Sequence, residues 1–152
     1  MPLVSMKKLL SRAEEEGYAV GYFESWNLES LLAVMDAAEE TNSPVIIGFN
    51  GAFLCNNARK RKENIYHYGS LAKAVAEHAS VPAAVILNEA DQLPFLFEGL
   101  KAGFNVVMYD GDESSYEETV RINKKLVQKA HAVEAEVEAE VGKLSEAVTG
   151  ST

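Results

Sequence analysis

The feature that most constrains this chain is a repeated alternation between short, continuously apolar runs and longer amphipathic segments. Apolar runs occupy residues 18–23, 45–49, 83–87 and 104–109, and none of them alternates apolar with polar residues as a half-exposed strand does. Segments with the helical spacing of apolar residues separate the runs. Strands that are buried on both faces and separated by helices form parallel sheets covered by helices. The pattern therefore predicts an α/β fold, and it leaves open both a doubly wound sheet and a (β/α)8 barrel.

Local signals predict where several of the helices begin and end. Ser5 is a suitable cap for a first helix, and Gly17 is a suitable end for it. Asn27 can cap the second helix in the same way. Ser115 and Glu118 have the spacing of a capping box for the last clear helix, which is predicted to run to residue 131.

Two segments lack a clear helical signal. Residues 50–59 contain glycine and asparagines and are predicted to form a loop. In residues 133–141 valine and alanine alternate with glutamate, which is the period of a strand. Val133, Val137 and Val141 also fall on one helical stripe, and alanine and glutamate favour helix. The tail over residues 133–152 is therefore compatible with a strand or a helix.

Composition excludes several classes of partner. The 152 residues carry a net charge of −9, and no basic patch is long enough to neutralise a row of phosphates. No apolar run approaches the roughly 18 residues that span a bilayer. Cys55 is the single cysteine, so an internal disulfide is excluded. These features predict a cytoplasmic protein that binds neither nucleic acid nor membrane.

A series of short segments gives the chain a family resemblance. The segments lie at residues 17–23, 27–29, 37–40, 43–47, 102–104, 107–111, 130–132 and 137–142. In order and spacing they resemble the class II (zinc-dependent) fructose- and tagatose-bisphosphate aldolases, whose fold is a (β/α)8 barrel. The resemblance implies that residues 1–152 form a single truncated barrel domain, the N-terminal half only, with about four to five strands.

The chemistry that the resemblance implies depends on the tip of the third strand. In the family, three histidines hold a zinc ion that polarises the substrate ketone, and an aspartate transfers a proton. The aspartate and the first histidine are adjacent after the third strand, where this chain has Asn88 and Glu89. Asparagine does not carry a titrating proton, and a carboxylate gives a harder metal site than imidazole. We therefore expect aldehyde-lyase activity to be absent from the isolated chain.

Other carboxylates match family positions and suggest a different metal. The resemblance places Asp110 and Glu140 where the family holds a second metal, and with Glu89 they would offer oxygen ligands to Mg²⁺ or Mn²⁺ instead of Zn²⁺. The alternative is that all three are ordinary solvated carboxylates. Glu24 and Asn50, at the ends of the first and second strands, are predicted to contact a polar ligand.

Histidine positions and the half-length barrel complete the predictions. The three histidines, His67, His78 and His131, have no ligand-like spacing and are predicted to be surface residues.

Half a barrel leaves two unpaired strand edges. Three outcomes are therefore expected: the chain is a fragment of a longer reading frame, it forms a homo-oligomer or pairs with a complementing second-half chain, or a tail helix over residues 134–148 covers one face. Two hypotheses for function follow: an aldolase-family protein acting on a sugar-phosphate-like molecule, or a non-catalytic ligand-binding or assembly protein on the same scaffold.

Overall fold

Helices and strands alternate along the described chain, except that two helices follow the second strand. The structure is a computed structural model that describes residues 2–58, 60–61, 63–112 and 114–141. In chain order the elements are α1 (Met6–Glu16), β1 (Gly21–Ser25), α2 (Leu28–Glu40), β2 (Val45–Asn50), α3 (Gly51–Cys55), α4 (Ile65–His78), β3 (Ala83–Ala90), α5 (Leu93–Ala102), β4 (Val106–Tyr109), α6 (Tyr116–His131) and β5 (Glu136–Glu138). The predicted α/β fold of parallel β/α repeats is confirmed.

The order of the strands decides between the two architectures that the sequence left open. The 5-stranded sheet has the order β1-β2-β3-β4-β5, so each strand lies beside the next one in sequence. A doubly wound sheet contains a point where the strand order reverses, whereas a barrel winds in one direction. The described strands therefore have the winding of a partial barrel.

The sheet has an outer face that carries most of the core. Helices α2, α4, α5 and α6 pack against this face, and their fully buried residues are joined to those of the strands in one apolar cluster. Each fully buried valine, leucine or phenylalanine in it contributes about 1.5–3 kcal/mol. The largest fully buried members are Phe49, Phe104, Leu31, Ile47, Leu87, Leu96 and Leu126.

The opposite, inner face has a smaller core, and among the described residues it is covered at one end only. Ile46, Ile86 and Met108 lie on this face together with Leu9 of α1. The chain before α1 forms a bridge from Leu3 to the first residue of β3, so α1 lies at the amino-terminal end of the strands. The carboxyl ends of the strands, at the other end of the same face, are left open for function.

Most of the predicted helix ends are confirmed, because the capping side chains make the expected hydrogen bonds. Ser5 accepts a hydrogen bond from the backbone of α1, and Gly17 adopts a left-handed φ of 74° that ends it. The Asn27 side chain caps α2. Ser115 caps α6 by accepting from the backbone N–H of Glu118, although the Glu118 side chain pairs with a nearby arginine.

Several boundaries differ from the predictions, among them the start of the fourth strand, which lies at Val106 and not at residue 104. The first strand lies at Gly21–Ser25, later than the predicted residues 18–23. The predicted loop over residues 50–59 is wrong for its first part, because the Asn50 side chain caps the short helix α3. The third strand continues beyond residue 87 to Ala90, so Asn88 and Glu89 belong to the strand itself.

The ambiguous tail contains a strand. Residues Glu136–Glu138 pair in parallel with β4, and α6 ends before them at His131. Glu134 has a left-handed φ of 58°, which ends the helical path without a glycine. The helical alternative over residues 134–148 is therefore wrong up to residue 141, and its remainder lies outside the described residues. Across the described part of the chain, we find no helix with the length and apolarity that a bilayer crossing requires.

Candidate functional site at the carboxyl ends of the strands

Polar side chains gather where the strands end. Glu24 belongs to β1, Asn50 is the last residue of β2, Asp110 follows β4 and Glu138 is the last residue of β5. The pairing of Asn50 with Asn88 brings the ends of β2 and β3 level with each other. In (β/α)8 barrels the active sites lie at this end of the strands. We therefore take the cluster as the candidate site.

An irregularity in β3 turns two consecutive residues toward this site. Asn88 follows the alternation of Ala84 and Ile86 and so belongs to the inner face. In a regular strand the next residue, Glu89, would point to the outer face. Instead the register shifts between Leu87 and Ala90, and Glu89 adopts a left-handed φ of 52°. This backbone conformation costs a non-glycine residue about 1–3 kcal/mol, and such strain is common at functional sites.

The Asn50 amide holds the Glu89 carboxylate. The Asn50 Nδ2 atom donates to Glu89 Oε2 at 3.0 Å. The Asn50 Oδ1 atom accepts from the backbone N–H of Phe53 at 2.9 Å, so the cap of α3 fixes the direction of the amide. The amide of Asn88, which is 6% exposed, is close enough to lower the pKa of Glu89. The carboxylate of β3 is thus placed by a contact from β2.

Burial and neighbouring carboxylates raise the pKa of the acids at the site. Burial is the largest cause that raises the pKa of Glu89; the amides of Asn88 and Asn50 lower it, and the charges of Glu24 and Asp110 raise it further. Burial also raises the pKa of Glu138, followed by the charges of Glu89 and Glu140. Such a site attracts cations and disfavours a bound phosphate.

The inner face also carries a tyrosine beside these acids. Burial raises the pKa of Tyr22 most, and the charges of Glu24, Glu89 and Glu138 raise it further. Its hydroxyl donates to Glu24 Oε2 at 3.4 Å, which is a long hydrogen bond. The Tyr22 hydroxyl therefore stays protonated and can donate a hydrogen bond to the carboxylates on the inner face.

The structure brings some of the predicted site residues together and separates others. Glu24, Asn50 and Glu89 lie together with Asn88, and Asp110 is near enough to act on Glu89. The Asp110 carboxylate itself accepts from the backbone N–H of Asp112 at 3.0 Å.

The three carboxylates of the predicted metal site lie in different surroundings. Glu140 lines a cavity beside α6, together with Asp112 and Lys124. β5 ends at Glu138, so Glu140 lies beyond the sheet. Across the described residues, no three His, Cys, Asp or Glu side chains form a group that could hold a metal ion. That Glu89, Asp110 and Glu140 together ligate one ion stays a prediction.

Glu138 and Tyr22 were not predicted from the sequence as site residues. Glu138 belongs to the alternating segment 133–141, and only its assignment to a strand places it on the inner face beside Glu89. Tyr22 stands two residues before Glu24, which is the spacing of one strand face. Period-2 spacing from an accepted site residue is thus the signal that could have found both.

The remaining candidate side chains lie outside the site. His67, His78 and His131 are exposed, as predicted for surface residues. The Cys55 thiol donates to Asp91 Oδ1 at 3.2 Å, and burial, aided by that carboxylate, raises its pKa to about 11. A thiol with a raised pKa is a weak nucleophile.

The fold and the position of the site define the class of protein, and comparison with known proteins defines the family. A parallel sheet wound in one direction, with outer helices and polar strand ends, is part of a (β/α) barrel. The profile of the family described as fructose-bisphosphate aldolase class-II matches residues 4–151. The chain belongs to the class II fructose-bisphosphate aldolase family.

Individual relatives agree with this assignment and show that the match is partial. The fructose-bisphosphate aldolase of Staphylococcus aureus is 36% identical over 144 residues, which are 93% of this chain and 49% of the relative. That of Thermus caldophilus is 36% identical over 143 residues, or 94% of this chain and 45% of the relative. The crystal structure of the YdjI aldolase from Escherichia coli K12 matches with a TM-score of 0.80 and 30% identity, covering 92% of this chain and 51% of that one. The chain spans about half the length of the curated relatives it matches.

The described residues do not fit the zinc ion that this family generally uses. Zinc in such enzymes is held by imidazole, and the strand-end cluster offers amides and carboxylates instead. A hard cation would accept these oxygens, but within the described ranges no three ligands converge. We therefore derive no chemical step through a metal from these residues.

Proposed function

We propose that this chain provides the N-terminal half of a class II aldolase-type site and does not cleave ketose bisphosphates by itself. The proposal rests on the tip of β3, where Asn88 and Glu89 occupy adjacent positions on the inner face. The Glu89 carboxylate accepts a hydrogen bond from the Asn50 amide. Asn88 has no titrating proton, so it cannot perform the proton transfer expected at its position.

The ligand that suits the proposal is a sugar-phosphate-like molecule bound jointly with residues outside the described ones. The acidic strand ends disfavour phosphate, so the phosphate groups would contact other residues. Glu89 and Asp110 would contribute oxygen ligands to a divalent cation, with Glu140 as the third predicted ligand; oxygen donors suit Mg²⁺ or Mn²⁺, and the family suggests Zn²⁺.

A cleavage assay tests the proposal directly. The purified chain is incubated with fructose and tagatose bisphosphates in the presence of added zinc, and its metal content is measured by elemental analysis. We expect no turnover above the buffer and no stoichiometric zinc. Turnover that Glu89→Ala abolishes, and that the matched surface variant Glu77→Ala retains, would contradict the proposal; Glu77 is an exposed carboxylate on α4.

A second candidate is a non-catalytic ligand-binding or assembly protein on the half-barrel scaffold. It is favoured by the Asn50 side chain, because its amide is already engaged in holding Glu89 and in capping α3. Binding of a bisphosphate without turnover, measured by calorimetry, would support this candidate over the first.

Partners and location complete the proposal. The two sheet edges that the described residues leave unpaired suggest a homo-oligomer or a complementing second-half chain. The acidic charge of −9 supports the expectation that neither nucleic acid nor membrane is a partner. A single cysteine with no disulfide partner supports a cytoplasmic location.

A further inference from the structure

Two exposed aromatic side chains meet where the first two strands end. Trp26 directly follows β1, and Phe53 lies on α3, which follows β2. Their ring centroids are 4.9 Å apart at an interplanar angle of 87°, which is the edge-to-face arrangement that aromatic pairs prefer. Trp26 nevertheless remains 57% exposed and Phe53 40% exposed. Because tryptophan is highly buried on average, an exposed one that is held by a second ring presents a fixed apolar surface to an arriving molecule.

This aromatic pair is joined to the acidic strand ends by hydrogen bonds. The backbone N–H of Phe53 donates to Asn50 Oδ1 at 2.9 Å, and Asn50 Nδ2 donates to Glu89 Oε2 at 3.0 Å. On the neighbouring strand, Trp26 stands two residues after Glu24, which is near enough to Glu89 for its charge to act there. We call Trp26, Phe53, Glu24 and Glu89 the aromatic-acidic rim.

The chemistry of the aromatic-acidic rim distinguishes among its possible occupants. An anion such as phosphate would be repelled by the carboxylates, and a neutral apolar molecule would gain nothing from them. A small metal cation needs several oxygen ligands at short distances, and no three His, Cys, Asp or Glu side chains form such a group in the part of the chain that the structure describes. An organic ammonium ion is larger and needs no converging ligands. It is stabilised both by aromatic faces and by nearby carboxylates.

We propose that the aromatic-acidic rim binds an organic ammonium ion, with its charge toward Glu24 and Glu89 and its alkyl groups against Trp26 and Phe53. This inference deepens the proposed function and rests on it, because it names the chemical class of small molecule that contacts the same strand-end site. A sugar-phosphate-like ligand would carry an amino group at the end that contacts the rim, and its phosphate would contact other residues.

A fluorescence titration tests the inference on the parent chain. Trp26 is the single tryptophan, so its emission reports directly on the rim. The purified chain is titrated at constant ionic strength with benzyltrimethylammonium, and separately with benzyl alcohol and phenylacetate as neutral and anionic probes of similar size. We expect a saturable change in emission with the ammonium probe, and binding of the other two that is at least tenfold weaker.

Two variants that retain Trp26 separate the contributions of charge and of the aromatic face. Glu24→Gln removes a negative charge and keeps an oxygen that can accept from the Tyr22 hydroxyl, and it should weaken binding of the ammonium probe at least fivefold. Phe53→Leu removes the ring that packs against Trp26, and it should weaken binding at least threefold.

Tyr66→Leu is the matched control, because it changes another aromatic side chain beside a carboxylate. Tyr66 is 42% exposed on α4, and its hydroxyl donates to Glu98 Oε2 at 2.6 Å on the neighbouring helix α5. This variant should bind the ammonium probe as the parent does. Thermal melts followed by circular dichroism check that the variants are folded, and the comparison of the three probes on the parent needs no variant.

Several outcomes would overturn the inference. These are a neutral or anionic probe that binds as tightly as the ammonium probe, an emission change that does not saturate, and displacement of the probe by an equal concentration of Mg²⁺. Emission that changes with protein concentration before any probe is added would place a second copy over the rim, and equal weakening by Phe53→Leu and Tyr66→Leu would remove its specificity; both also overturn it. The cleavage assay is read separately, so turnover there contradicts the proposed function without altering the order of the probe affinities.

Discussion

Replacing Asn50 with aspartate separates the two hydrogen bonds that its side chain makes. The carboxylate of Asn50→Asp still accepts from the backbone N–H of Phe53, because aspartate caps helices as well as asparagine does. The donor to Glu89 is replaced by an oxygen, at a position where the present atoms are 3.0 Å apart. The variant therefore removes one contact and adds a like charge while the cap of α3 is kept.

The expected cost follows from the half-buried position of the pair. A hydrogen bond to a charged group contributes about 1.5–3 kcal/mol, and the lower end applies here because solvent screens the carboxylate. With the added repulsion we expect a loss of about 2 kcal/mol in the free energy of unfolding at neutral pH, which lowers the urea midpoint by about 1 M.

The loss of unfolding free energy in Asn50→Asp should change with pH in one direction. The pKa of Glu89 is already raised in the folded protein, and a second carboxylate beside it raises it further. A carboxyl group with a higher pKa in the folded state takes up a proton on folding, so its stabilising contribution is present at low pH and is lost as the pH rises through the folded pKa. The deficit of Asn50→Asp should therefore be full at neutral pH and shrink in acid.

Urea unfolding followed by circular dichroism at several pH values is the assay, with Asn64→Asp as the control. Asn64 caps α4 by accepting from the backbone N–H of Tyr66, and its variant should change stability little. Equal losses for the two variants, or a loss for Asn50→Asp that does not vary with pH, would refute the argument that Asn50 holds Glu89.

Three further changes test other parts of the structure. Gly48→Ala should lower the free energy of unfolding by about 3 kcal/mol, because the new Cβ would lie 1.9 Å from the Ile86 carbonyl oxygen; an urea midpoint within error of the parent would contradict that close approach. Glu134→Gly should raise stability by about 1 kcal/mol by relieving a left-handed φ of 58°, and a lower urea midpoint would count against this backbone conformation. Cys55, with a pKa of about 11, should react with iodoacetamide about a hundredfold more slowly at pH 8 than an ordinary cysteine, and Asp91→Asn should increase the rate; alkylation at the ordinary rate would exclude the buried, raised-pKa thiol.

The sequence predicted the alternation of elements because that alternation reflects local physics. Capping side chains such as Ser5, Asn27 and Ser115 bond to backbone atoms within the same helix, so their neighbours in sequence determine the result. The choice of a barrel over a doubly wound sheet depends on which strands pair, and no local pattern records it.

The parts of the site that were not predicted are those that arise from contacts between strands. Asn50 and Glu89 are 39 residues apart in sequence, and their contact depends on the register of β2 against β3 and on the shift after Leu87. Glu138 could not be placed until β4 paired with its segment, because helix and strand were equally compatible with residues 133–141. Sequence reasoning therefore placed Glu24, Asn50, Asn88 and Glu89 at the ends of the strands, and it could not give the partners that tertiary pairing brings to them.

The left-handed turn at Glu89 has a consequence for how such a scaffold changes its chemistry over time. Because the backbone alone directs residue 89 inward, the identity of that side chain can be exchanged without rebuilding the strand. The position therefore stays inward whichever side chain it carries. A reactive or metal-binding group that an engineer introduces there would be directed into the site from the start.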